Sequence, residues 1–252
     1  MKKLIKSFKN NHTSIIIPLY NEETRLDYCF DIIKKFLKKN QKFFFEIIFI
    51  NDGSDDQSQS TILRFINKNK KKFFNAKIKL ISYKKNLGKG YAIKRGIFAS
   101  QSKWILTCDV DMSVLPEQYI IWKRKKLIKN KNCAYIASRS HKNSKIKSKF
   151  IRRKLGGILK LILFNFFNLK ISDTQCGFKV FHSCYIKKIF NKIKCYDYAF
   201  DVETMLLLDN NNIKIIELPV TWVHRPGSKV HLIKDSAKFF LDLLILKKRL
   251  LK

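Results

Sequence analysis

The sequence predicts an α/β fold, with a predominantly parallel sheet, helices on both faces and a single domain spanning all 252 residues. Two observations carry this reading. Short apolar runs of buried type alternate with longer amphipathic segments along the whole chain, and the early runs each stop in a polar, partly acidic loop. Ser14-Ile-Ile-Ile-Pro18 marks a strand near 14–19. It breaks at Leu19-Tyr-Asn-Glu-Glu23, where proline and asparagine end the strand and acidic residues suit the first turn of a helix over 23–39. Phe43-Phe-Phe-Glu-Ile-Ile-Phe-Ile50 gives a strand over 43–51, closed by Asp52-Gly-Ser-Asp-Asp56 ahead of a helix over 54–69. Asp56 suits a cap for that helix and Asp52 less so. A strand over 78–82, a helix over 89–100 and a strand over 104–109 follow. The remainder is expected as helix 116–129, strand 133–138, helix 149–168, strand 178–181, helices 185–191 and 200–210, strand 213–220 and helix 232–250. Lys/Asn-rich pieces at 67–75 and 141–149 are expected to be solvated loops, the second placed as a flap over a site.

The pair Asp109 and Asp111 ends the apolar run Trp104-Ile-Leu-Thr-Cys108. Side chains at i and i+2 of a strand share a face, so the two carboxylates are expected to meet one hard cation or one sugar together. Two acids in a surface loop are equally common, and the motif alone does not decide. Its company does more: three strands end in polar loops, and in an open α/β sheet such loops converge on a ligand beyond the carboxyl ends of the strands.

The formal net charge is +34 and the pI about 10.0, which calls for anionic partners: nucleic acid, phosphorylated substrates or an acidic membrane surface. Only nine of the 53 basic residues are arginine, so the arginines are more informative; Arg139, Arg152 and Arg153 lie in one segment. Carboxylates clustered at strand ends and the lack of an RNA-stacking motif argue against a nucleic-acid module. Six cysteines without a C-x-x-C pair or zinc spacing indicate reduced thiols, and the five histidines share no metal spacing. Met1–Asn10 is basic without an apolar core, so it is not a secretory signal, and no stretch of about 18 apolar residues predicts a transmembrane helix. Leu155–Leu169 is either an interfacial helix or a core helix.

Pro18-Leu-Tyr-Asn-Glu-Glu23, Asn51-Asp-Gly-Ser54, Asn86-Leu-Gly-Lys-Gly90 and Asp109-Val-Asp111, in this order, resemble the family 2 glycosyltransferases of the GT-A fold. Asp173-Thr-Gln-Cys-Gly-Phe-Lys179, Tyr198-Ala-Phe-Asp-Val-Glu203 and Pro226-Gly-Ser-Lys229 are similar to the dolichyl-phosphate β-glucosyltransferase branch. The resemblance implies a nucleotide-sugar half over about 13–112, an acceptor half over about 113–231 and a C-terminal helix over about 232–252. It further implies that Pro18, Tyr20 and Glu22 frame the nucleotide, that Asp52 accepts a hydrogen bond from the base, and that Lys89 and Gly90, with free N–H groups at a helix start, receive the diphosphate. Asp109 would contact the sugar or the metal, and Asp111 would hold Mg2+ or Mn2+; Ser113, two residues on, is a weaker ligand.

A phosphate monoester is largely dianionic at pH 7 and needs positive charge more than a base. Arg139, Arg152 and Lys229 are the candidates to hold it, with Arg225 and Arg153 behind them. Asp173 is the catalytic carboxylate by motif position, as orienter, weak base or stabiliser of positive charge on the sugar; a turn cap is the plainer role. Asp201 and Glu203 suit the positive end of a helix, with a part in the sugar pocket as the alternative. The expected activity is inverting, metal-dependent transfer of glucose from UDP-glucose to a polyprenyl or dolichyl phosphate. The expected location is the cytoplasmic face of a membrane, with peripheral attachment to its anionic surface. Mannose from GDP-mannose is the alternative donor, and a glycan hydroxyl the alternative acceptor.

Overall fold

The computed structural model describes residues 12–147, 165–197, 199–225 and 232–250. In the nucleotide half, β1 (His12–Leu19), α1 (Glu23–Lys39), β2 (Phe44–Asp52), α2 (Ser58–Asn69), β3 (Ala76–Tyr83), α3 (Lys89–Ala99) and β4 (Trp104–Thr107) follow in order. Then come α4 (Glu117–Arg124), β5 (Cys133–Ser138), β6 (Lys145–Lys147), β7 (Lys179–His182), α5 (Ser183–Lys192), α6 (Phe200–Asn210), β8 (Lys214–Pro219), β9 (Thr221–Val223) and α7 (Leu232–Leu250). The main sheet has the order β3-β2-β1-β4-β7-β5-β8, and β7 alone runs antiparallel to its neighbours.

Strand alternation divides the apolar residues between two cores. Ile15 and Ile17 of β1 face one side with Leu26, Ile33 and Phe36 of α1, while Ile16 faces the other with Ala92, Ile93 and Ile97 of α3. Gly96 lets α3 close on β1, because a Cβ there would collide with Ile16. Pro18 sits in a central strand at no loss of pairing: β4 leaves β1 after the Ile16–Thr107 pair, and the missing N–H falls just beyond. The chain moves outward from β1 through β2 to β3 and returns to β1's other flank with β4. That reversal opens a crevice at the carboxyl ends of β1, β2 and β4.

Two sequence expectations change. The segment 141–149 is not a free loop through Lys147: β6 pairs in parallel with β9, Lys145 N donates to Val220 O, and His224 N donates to Lys147 O at 2.9 Å. The helix expected over 149–168 lies mostly outside the described residues, which include only its last turn, from Asn165. Among the described residues no helix is long and apolar enough to cross a membrane.

Candidate active site

The loops after β1, β2 and β3 are stitched together by short polar contacts. Asn21, at φ 53°, donates its N–H to Ser54 Oγ and accepts from Asp55 N at 2.8 Å. Glu22 N donates to Ser58 Oγ, and Asp56 accepts from Glu23 N and Ser58 N, the capping role expected of it. Gly53 has φ 71° with the Lys85 and Asn86 backbone 2.5–2.6 Å from where a Cβ would stand, so only glycine fits.

Asp52 is buried and accepts from Leu87 N at 2.8 Å and Gly88 N at 3.0 Å, one bond to each carboxylate oxygen. Burial raises its pKa in spite of these donors. Gly90 N donates to Tyr196 O at 2.8 Å. Of the free N–H groups expected at Lys89 and Gly90, that of Gly90 is therefore spent within the protein, and with those of Leu87 and Gly88 it fixes the loop. What the loop presents is Lys89, whose Nζ lies 2.7 Å from Asp109 Oδ1.

β4 ends at Thr107, so Asp109 and Asp111 stand in a turn and not on a strand face as expected. Alternation persists through that turn: Cys108, Val110 and Met112 are buried, and the two carboxylates between them are half-buried. Their surroundings differ. Burial works against ionisation of Asp109, but Lys89, then Lys179 and Arg139, outweigh it and hold the carboxyl below its usual range. The Asp109 carboxylate also lies against Gly177, where any Cβ would strike both oxygens. Asp111 accepts from Ser113 N at 2.8 Å, makes no salt bridge among the described residues and feels Lys89 only at longer range.

Across the crevice Arg139 grips Asp173 two-by-two. Nε donates to Oδ2 at 2.7 Å, Nη2 donates to Oδ1 at 2.8 Å, and the Arg139 backbone N adds a third bond to Oδ2. Gln175 N donates to Asp173 Oδ1, and Glu217 holds the backbone N–H groups of Ser172 and Asp173. Burial opposes ionisation of Asp173, yet Arg139 holds its carboxyl below the usual range. Asp173 is 6% exposed and Arg139 36%, so the carboxylate is covered while the guanidinium keeps an open edge, and its charge reaches Asp109.

Other expected residues are less central. Tyr20 is exposed beside the crevice, and Glu22 points its carboxylate at Arg25 (3.2 Å). Arg225 packs its guanidinium over the Tyr28 ring, 4.6 Å from its centroid. Arg152, Arg153 and Lys229 lie outside the described residues. One feature went unread in the sequence: Lys179 Nζ is buried at 2.6 Å from Asp201 Oδ1 and donates to Cys176 O at 2.7 Å. A lysine inside the apolar strand Phe178-Lys-Val-Phe181 is the signal that points to a buried partner. Asp201 does more than favour a helix end, and Glu203 accepts from Lys194 N and Cys195 N and pairs with Arg249.

The profile of glycosyl transferase family 2 matches residues 14–193. The dolichyl-phosphate beta-glucosyltransferase of Dictyostelium discoideum is 34% identical over 251 residues, covering 96% of this chain and 76% of that protein. The protein of that name from Homo sapiens is 31% identical, covering 94% and 75%. A mannosyltransferase from Pyrobaculum calidifontis, solved with GDP-Man and Mn2+, aligns at a TM-score of 0.64 and 15% identity over 94% of this chain and 64% of that one. Mannosyl-3-phosphoglycerate synthase from Rubrobacter xylanophilus gives 0.64 at 13% identity, over 98% and 76%. Such distant structures bear on the fold alone, which is of GT-A type. The family match takes in Asp52, Lys89, Asp109, Asp111, Arg139 and Asp173, and the chain belongs to glycosyl transferase family 2, in the branch of the dolichyl-phosphate beta-glucosyltransferases.

Proposed function

We propose that this glycosyltransferase moves glucose from UDP-glucose to the phosphate of a dolichyl or other polyprenyl lipid, with inversion at the anomeric carbon, on the cytoplasmic face of a membrane. The observation that carries the reading is the pairing of charges in the crevice. Asp109 is neutralised by Lys89 and Asp173 by Arg139, which leaves Asp111 seeking a cation and the outer edge of Arg139 seeking an anion.

Among the described residues no three His, Cys, Asp or Glu side chains gather to hold a metal by themselves. Asp111 nevertheless suits Mg2+ or Mn2+, because such ions bind through one or two carboxylates and complete their shell with water and substrate phosphate. Bound there, the ion would offset the charge of the departing diphosphate. The protein's own groups do the rest. Asp52 fixes the Leu87–Gly90 loop and keeps lone pairs for the uracil N–H. Lys89 lies where it can turn from Asp109 towards the diphosphate. Arg139, backed by Asp173, orients the acceptor phosphate, with Arg152 and Lys229 as its further candidates. An oxygen of that phosphate attacks C1 of the sugar from the face opposite the diphosphate; the new C1–O–P bond forms as the old one breaks and UDP leaves. A dianionic nucleophile needs no base, and the lowered pKa of Asp173 suits a positioning carboxylate better than a proton acceptor.

Purified protein incubated with UDP-glucose and dolichyl phosphate should yield a glucosyl phospholipid, identified by mass, that EDTA suppresses. Exclusive use of GDP-mannose, or full activity in EDTA, would overturn the donor or the metal assignment respectively.

A further inference from the structure

α7 has two apolar faces. Leu243 and Leu246, each 1% exposed, and Phe239 turn into the second core, which satisfies the usual demand on an amphipathic helix. The opposite face carries Phe240 and Leu244 at 41% exposure, Leu241 at 59% and Ile245 at 58%. Four large apolar side chains contiguous on one helix are more than a water-facing surface scatters by chance. Lys248 is exposed within the same stripe, and Lys247 lies over the Phe166 ring at 4.4 Å. Phe166 in turn meets Phe240 edge-on at 6.3 Å.

We propose that this outward face of α7 is a docking surface for an anionic lipid bilayer, an inference that rests on the reading of the acceptor as a lipid phosphate. Charge selects the occupant. In sequence, the stretch Lys145-Ile-Lys-Ser-Lys-Phe-Ile-Arg-Arg-Lys154 ahead of Phe166 holds six cations and no acid. A second copy of a chain with net charge +34 would bring like charge against Lys247 and Lys248, whereas anionic headgroups neutralise them and the leaflet interior takes Phe, Leu and Ile. Position agrees. Lys238 pairs with Asp197, the neighbour of Tyr196, against whose carbonyl Gly88 and Gly90 pack. The Lys238 end of α7 is thus joined through Asp197 and Tyr196 to the loop that carries Lys89, so a bilayer docked on this helix would bring its lipid phosphates towards the crevice.

This surface differs from the Leu155–Leu169 segment, which the sequence reads as either an interfacial or a core helix. Phe167 packs in the second core, so changing it tests folding.

The test is vesicle flotation with phosphatidylcholine, alone or with phosphatidylserine, paired with glucose transfer from UDP-glucose to a water-soluble short-chain polyprenyl phosphate. Wild type should float with the anionic vesicles at low salt. Leu241→Ser/Ile245→Ser should float at least about tenfold less well, with an unchanged melting temperature, because two apolar side chains leave the bilayer. Lys248→Glu should weaken flotation without removing apolar area, and Leu63→Ser, exposed elsewhere, should leave it unchanged. Both α7 variants should use the soluble acceptor as wild type does. Wild-type flotation of the double variant, or no flotation of wild type at low salt, overturns the surface. So does a concentration-dependent dimer that the double variant abolishes. Normal flotation without transfer to any soluble acceptor supports the surface and overturns the reaction instead.

Discussion

Asp109 and Asp111, one residue apart, occupy different electrostatic settings, and that difference predicts different mutant behaviour. Asp111→Asn removes the carboxylate that makes no salt bridge among the described residues, so the fold should stand while turnover falls by about 100-fold or more. Mg2+-dependent UDP binding by calorimetry, lost in the variant, checks this; wild-type turnover would contradict it. Asp109→Asn instead unpairs Lys89 and should chiefly disturb donor affinity. Asp173 adds a pH prediction. Its pKa in the folded protein lies below the unfolded value, so the Arg139 pair contributes stability above the unfolded carboxylate pKa and loses it as pH falls through the folded one. Asp173→Asn should flatten the acid limb of a stability–pH curve and raise the KM for the acceptor, because Arg139 loses its fixed fork. These residues were legible as candidates from their motifs. Their pairings were not, since Lys89 with Asp109 and Arg139 with Asp173 join segments whose approach only the folded sheet decides.

Whole elements were read best where a periodic pattern met a clear stop. The bounds of α1, α6 and α7 agree with the expected helices over 23–39, 200–210 and 232–250. β7 was found but not its direction, because Lys-Val-Phe-His alternates identically either way and only the returning chain sets it antiparallel. β6 was missed because three residues, Lys-Ile-Lys, carry no periodicity, and their partner β9 is remote in sequence. The packing of α3 against α6 supplies a prediction at this scale. A Cβ at Gly90 would stand 2.6 Å from Phe200 Cβ and 3.0 Å from Tyr196 O, so Gly90→Ala must push the two helices apart. A loss of about 1–3 kcal/mol of stability is expected from such overpacking, with weaker UDP binding as Lys89 moves. Denaturant melts and calorimetry read the two effects. Lys179→Met should cost more, about 3–5 kcal/mol, because it strands Asp201 as a buried charge without its partner; an unchanged melt would show that Asp201 is protonated in the fold, towards which burial already pushes it.

At the scale of the molecule the dominant fact is a net charge of +34 on 252 residues. Composition makes it legible at once, but not its distribution: the same lysines cover solvated helix faces, pair with Asp109 and Asp201, and flank the apolar stripe of α7. Like charge at this density repels itself, and the repulsion is long-ranged, so it weakens once the Debye length falls from about 30 Å at 0.01 M salt to about 8 Å at 0.15 M. The internal pairs are close and partly buried, and the same salt touches them less. Raising NaCl from 10 to about 150 mM should therefore raise the melting temperature, and each kcal/mol of relieved repulsion is worth about 2–4 °C for a chain of this length. The same addition should loosen the protein from anionic vesicles, because that attraction is screened by the same ions. The two responses run in opposite directions, so detachment in salt cannot be mistaken for unfolding. A melting temperature that stays flat or falls across this range would mean that the repulsion is already neutralised by bound anions. Melts repeated with chloride, sulfate and UDP would then identify the anion, since only one that binds the folded chain shifts the midpoint with its own concentration.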